Sequence, residues 1–118
     1  MSCMVPGEAS KLMTQMRRGA IEYCVLALLR RKEWYGFELA HALAEADGLV
    51  TSEGTIYPLL SRLRRDGMVD SAWRESTQGP PRRYYSLTSD GTAALSAFAE
   101  QWSTFRDTVD RLLTEDAT

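Results

Sequence analysis

The stretch SEGTIYPLLSRLRRDGMV, from Ser52 to Val69, runs directly into WRESTQGPPRRYYSLT, from Trp73 to Thr88, and that order constrains the fold more than anything else in the chain. The first piece carries the punctuation of one helix. Ser52 is a good N-cap, since its side-chain oxygen can accept from the free amides of the first turn, and Gly67 stands where a left-handed C-terminal cap is needed. Between them Ile56, Leu59, Leu60 and Leu63 recur at helical spacing, leaving Thr55, Ser61, Arg62 and Arg65 off the apolar stripe. One face can pack while the other enters a groove. Beyond the cap, Val69, Trp73, Tyr84, Tyr85 and Leu87 favour strand on either side of a Gln78-Gly79-Pro80-Pro81 tip that is expected to end the ladder. A helix followed by a projecting hairpin is a winged helix, mainly α with a small β-hairpin, and Arg82 and Arg83 follow at the base of the wing.

The residues before it supply the rest of a helix-turn-helix. Helix one is expected from about Met16 to Arg31, with Ile21, Val25, Leu28 and Leu29 on one stripe. Trp34-Tyr35-Gly36 forms the break, and helix two runs from about Gly36 to Ala46, burying Phe37, Leu39, Ala40 and Leu43 before Asp47-Gly48 stops it. Helices two and three then make the DNA-reading pair. Pro58 breaks a local rule, because a proline inside a regular helix costs about 3 kcal/mol. It either kinks the helix or marks a tight first turn. Gly54, lacking a side chain, would let a phosphate approach the helix start.

A net charge of −2 looks wrong for a DNA binder until it is divided along the chain. From Met16 to Leu87 there are 11 Lys and Arg against 9 Asp and Glu, whereas the remainder carries 3 against 7. Between Arg62 and Arg83 six arginines face three acids. Phosphate attraction is felt over about 10 Å at 0.1 M salt, so the local surplus counts for more than the total.

From Thr88, a good N-cap with Asp90 in the first turn, a last helix is expected to about Leu113. Along it Leu95, Phe98, Trp102, Phe105, Val109 and Leu112 alternate steps of three and four, the spacing of a coiled-coil seam. A helix of roughly 25 residues measures about 37 Å, more than a small domain needs, so its outer part is expected to pair with a second copy. The chain thus divides into an N-terminal arm over 1–15 expected to be mobile, a DNA-binding domain over 16–88, and a dimerisation helix with a short tail over 89–118.

Several of these pieces together resemble the PadR family of bacterial transcriptional regulators, in its short subfamily with a single C-terminal helix. They are the LALL of Leu26 to Leu29, the Tyr35-Gly36 pair, the SEGTIYP of Ser52 to Pro58, the RLRRDGMV of Arg62 to Val69, and the WRES followed by GPPRRYYSLT. The resemblance implies a homodimeric repressor on double-stranded operator DNA, with an affinity that responds to a small molecule. The residues expected at the DNA are Tyr35, Ser52, Thr55, Tyr57, Arg62, Arg82 and Arg83. Family members that sense drugs stack flat aromatic ligands on a tryptophan of the terminal helix in a dimer-interface cavity, which would put a small aromatic effector on Phe98, Trp102 and Phe105. Members that sense phenolic acids bind them between that helix and the DNA-binding domain.

Other function classes find less support. The lone His41 has no metal or triad partner at a suitable spacing, and no phosphate loop, HExxH, GxSxG or CxxC occurs, so neither catalysis nor a cofactor is expected. Cys3 and Cys24 give no disulfide framework. No apolar run approaches the roughly 18 residues of a membrane span, which points to the cytoplasm. A metal-responsive sensor using Cys3, Cys24 or His41, and a protein-interaction module without DNA binding, are the alternatives.

Overall fold

The computed structural model describes residues 18–46 and 53–115. Ser52, Cys3, the N-terminal arm and the Asp47-Gly48 stop lie outside the described residues. Helix α1, Ile21–Arg31, leads through a short strand β1, Trp34–Tyr35, into α2, Gly36–Glu45. A single 3-10 turn, Glu53–Thr55, opens α3, Ile56–Arg65; strands β2, Val69–Ser76, and β3, Gly79–Leu87, make the wing, and α4 covers Ser89–Thr114.

The helices form where their apolar rows demand. Ile56, Leu59, Leu60 and Leu63 are all buried and meet Val25, Leu26 and Leu29 of α1 and Leu39, Ala40 and Leu43 of α2 in one core. Helix α1 starts later than its sequence suggests, because the chain turns at Gly19 and Ala20 and the first helical amides, those of Tyr23 and Cys24, reach back to the Ala20 carbonyl. Phe37 was expected in the core and is instead half exposed: on α2 it falls beside the row Leu39, Ala40, Leu43 rather than on it.

Pro58 is explained by where α3 begins. It is the third residue of the α-helix, inside the first turn, where an amide would have no intrahelical acceptor. No kink is needed. At the other end Gly67 has φ +79°, its amide donates to Arg64 and that of Met68 to Leu63, the hydrogen-bond pair of a Schellman cap.

The sheet differs from a plain hairpin in two respects. Strand β1 adds a third strand in the order β1-β3-β2, pairing Trp34 with Tyr85 and Tyr35 with Tyr84. The prolines do not end the ladder either. Ser76 pairs with Gly79 and Arg74 with Arg82, so the extra residue on β3 forms an irregularity at Pro80-Pro81, where β3 has only β2 beside it and a missing amide is tolerated.

Helix α4 is tied to the corner between α3 and β2. The Thr88 hydroxyl accepts from the Gly91 amide at 2.9 Å and shares its proton between the Gly67 and Met68 carbonyl oxygens, at 2.7 and 2.9 Å. Gly91 is buried there, and a Cβ on it would meet the Met68 carbonyl oxygen at 2.1 Å. Neither backbone can yield without opening the corner. Gly91→Ala is therefore expected to destabilise the fold by about 2–3 kcal/mol, read as a lower midpoint in denaturant.

Candidate nucleic-acid interface

An open cleft of about 470 Å³ separates α3 from the wing, and its lining includes Tyr35, Phe37, Tyr57, Ser61, Trp73, Arg82 and Arg83. Its floor is set by a close approach. The Tyr57 ring lies over Gly36, where a Cβ would come within 2.6 Å of Cε1, so any larger residue would have to push the ring aside. With 43% of its surface exposed, Tyr57 is half floor and half contact surface.

Helical geometry sorts the polar residues of α3. Ser61 and Arg65, one turn apart, stand opposite the buried row and face outward. Arg62, expected at the DNA face, turns toward α1, where its guanidinium donates to Glu22 at 2.9 Å. Thr55 is exposed at the start of α3.

Strand alternation sorts the wing in the same manner. Tyr35, Tyr84, Arg74 and Arg82 share one face, with the Arg82 guanidinium 4.6 Å from the centre of the Tyr35 ring and that of Arg74 4.9 Å from Tyr84. Arg74 is also held by Glu33. Arg83 lies on the opposite face, where its Nε donates to the Ser71 hydroxyl at 3.0 Å. Among the described residues Arg64, Arg82 and Arg83 have no carboxylate within salt-bridge distance, so of the six arginines between 62 and 83 these keep their charge uncommitted. Ring contacts restrict Arg82 and Arg83 without neutralising them, which lowers the entropy lost on meeting a phosphate.

A fold of this kind has many solved counterparts. The model of the transcriptional regulator PadR-like family matches residues 25–97. The chain belongs to that family. It is 36% identical over 84 residues to a transcriptional regulator of Mycobacterium tuberculosis, covering 71% of this chain and 77% of the relative. A PadR-like transcriptional regulator from Bacillus cereus superposes with a TM-score of 0.79 at 35% identity, over 86% of this chain and 99% of the other. A PadR family regulator from Eggerthella lenta gives 0.81 at 33% identity, over 93% and 96%. This PadR-like protein is accordingly a transcriptional regulator of the DNA-binding winged-helix type, and not an enzyme.

The second predicted site falls along α4. The heptad spacing puts Leu95 in the dimer seam, yet it is only 5% exposed and belongs to the protomer's own core. Phe98 stacks on Tyr23 of α1 with ring centres 4.1 Å apart and planes within 4°. Trp102 follows at 5.9 Å from Phe98, and Phe105 at 6.0 Å from Trp102. These three, with Gly19, Ala20 and Gln101, border a hollow of about 420 Å³. Phe105 and Leu112 are each more than 60% exposed, and Val109 is half-buried.

Nothing in the described residues supports the metal-sensor alternative. No group of three His, Cys, Asp or Glu among them could hold an ion. His41 is exposed and pairs with Glu45 on its own helix, and burial pushes the Cys24 thiol up, away from the reactive thiolate. No helix among the described residues is long and apolar enough to cross a membrane.

Ser61 and Arg65 stand off the apolar stripe of α3 in the sequence and are exposed in the structure, whereas Phe37 and Trp73 join the cleft without a sequence signal. Phe37 and Trp73 depend on the pairing of β1 and β2 with β3, which local pattern does not carry.

Proposed function

We propose that the protein is a cytoplasmic homodimeric repressor that reads an inverted-repeat operator and is released from it by a small aromatic effector. The observation that carries this reading is the cleft itself, where the outward face of α3 and the uncommitted guanidinium groups of Arg82 and Arg83 border one open space. Helix α3 would enter a major groove, with Thr55, Tyr57 and Ser61 near base edges or positioned phosphates, while the wing holds the flanking backbone. Two copies related by a twofold axis would meet half-sites about one turn apart, ~34 Å.

The effector reading is supported by the hollow beside Phe98, Trp102 and Phe105, whose size suits a ligand of drug dimensions. The planes of Phe98 and Trp102 lie within 15° of each other and those of Trp102 and Phe105 within 39°, so a planar aromatic molecule meets a prepared surface. Linkage then fixes the sign: a ligand releases DNA only by favouring the arrangement that binds DNA less well, and DNA must weaken the ligand by the same factor.

The test uses the DNA immediately upstream of the protein's own gene and a random duplex of equal length. The expected result is a dimer bound more tightly to the upstream DNA, with an affinity that falls steeply with salt. Titration of planar aromatic compounds should quench tryptophan emission and release the DNA. Trp102→Ala should abolish the quenching and leave a dimer. Equal affinity for both duplexes would remove operator recognition from this DNA, and quenching that survives Trp102→Ala would move the effector elsewhere.

A further inference from the structure

The cleft has one wall that the reading above leaves unused. Trp73 is 67% exposed, more than any other aromatic side chain among the described residues. Leaving an indole in water forgoes the burial that usually makes tryptophan stabilising, so its place on the wing calls for a reason. Its position is set by pairing. On β2 it stands across from Arg83, on the sheet face that carries Tyr85 into the core further along. Past the edge of the core this face looks across the cleft toward Tyr57 and Ser61 of α3.

Arg83 is fixed beside it. The guanidinium carbon lies 5.7 Å from the Trp73 ring centre and 6.0 Å from that of Tyr85, and Nε is tethered to Ser71. The cation is lodged between two rings but leaves most of the indole bare. The wing thus presents an apolar plate and a cation side by side. A DNA strand presents the matching alternation, since each anionic phosphate is flanked by the apolar face of a deoxyribose.

We propose that Trp73 is a DNA-contacting residue, its indole resting on a deoxyribose of the strand in the cleft while Arg83 takes the adjoining phosphate; this rests on the DNA-binding reading of the same cleft. A contact to sugar is blind to sequence and carries no charge. It therefore has a signature that the arginines lack, because it adds affinity without releasing counterions.

The experiment compares full-length wild type with Trp73→Ala and Trp73→Phe on the upstream DNA and on the random duplex, across a range of salt. Trp73→Ala should weaken both duplexes by about tenfold, the scale expected from burying part of one indole, with the salt slope unchanged. Trp73→Phe should recover most of the loss. Trp34 and Trp102 are present in every variant, so any DNA-induced change in emission or in acrylamide protection that wild type shows and Trp73→Phe lacks belongs to Trp73. Its exposure means that neither substitution disturbs the core, and circular dichroism should be unchanged. Unaltered affinity in Trp73→Ala, or equal DNA-induced protection in wild type and Trp73→Phe, overturns the proposal. A weaker affinity accompanied by a flattened salt slope also overturns it, since Trp73 would then serve only to hold Arg83. If wild type binds neither duplex, the DNA-binding reading fails first and takes this contact with it.

Discussion

Replacing Phe105 with aspartate is expected to turn the proposed dimer into a monomer at micromolar concentration and to abolish operator binding with it. Helix α4 has 26 residues, about 39 Å at 1.5 Å per residue, and the molecule is drawn out to 62 Å in its longest dimension against 32 and 21 Å in the others. Among the described residues the first turns of α4 pack most closely on the rest of the protomer, through Gly91, Leu95 and the stack of Phe98 on Tyr23. Farther out Phe105, Leu112 and Leu113 are 61, 63 and 79% exposed. Such a row is poorly accounted for in a monomer, and a twofold partner would bury it at roughly 1.5–3 kcal/mol for each large side chain. A carboxylate in the middle of that seam would be desolvated without a partner. Because Phe105 is exposed in the protomer, the variant should keep its helical circular dichroism while sedimentation shows the loss of the dimer. Leu95→Asp makes the useful contrast, since it strikes the protomer's own core and should unfold the domain. A Phe105→Asp protein that stays dimeric and binds DNA would shift the interface to α1.

The contrast between Leu95 and Phe105 also shows what can be read from sequence. Helical periodicity identifies the stripe on α4, because the spacing is a property of one helix. It does not say which neighbour covers each residue of the stripe. The same division holds in the winged helix. Ile56, Leu59, Leu60, Leu63 and the cap at Gly67 are local signals, and all are where the spacing put them. Strand β1 is two residues long, too short for any alternation, and exists only because β3 returns alongside it. Arg62 sits off the apolar row of α3 like its neighbours, and only the packing of α1 beside it, bringing Glu22 within 2.9 Å, separates it from Ser61 and Arg65. Pro80 and Pro81 were read as the end of a ladder because proline donates no hydrogen bond. What rescues them is a long-range fact, that β3 has an open side at that point.

Changing both Arg82 and Arg83 to alanine is the sharper test of how the wing acts. Each carries an uncommitted charge, and each is restrained, Arg82 over Tyr35 and Arg83 between Ser71, Trp73 and Tyr85. If both hold phosphate, four such contacts vanish from a dimer, and the logarithmic salt slope should fall in magnitude by about 3.6, at about 0.9 for each contact. Affinity at ~0.1 M salt should drop by at least about a hundredfold, and equally for the upstream and random duplexes, since phosphate carries no sequence. The paired lysine substitutions separate charge from shape. Lysine keeps the counterion release but lacks the planar fork and its stacking on the rings, so the slope should stay near wild type while affinity falls part of the way. Tyr57→Phe should behave in the opposite sense, if its hydroxyl reaches a base or a positioned phosphate: a loss confined mainly to the upstream DNA, with little change in slope. An unchanged slope in the double alanine variant would place the phosphate contacts on other arginines, such as Arg64 and Arg65, and would take Arg82 and Arg83 out of the DNA surface.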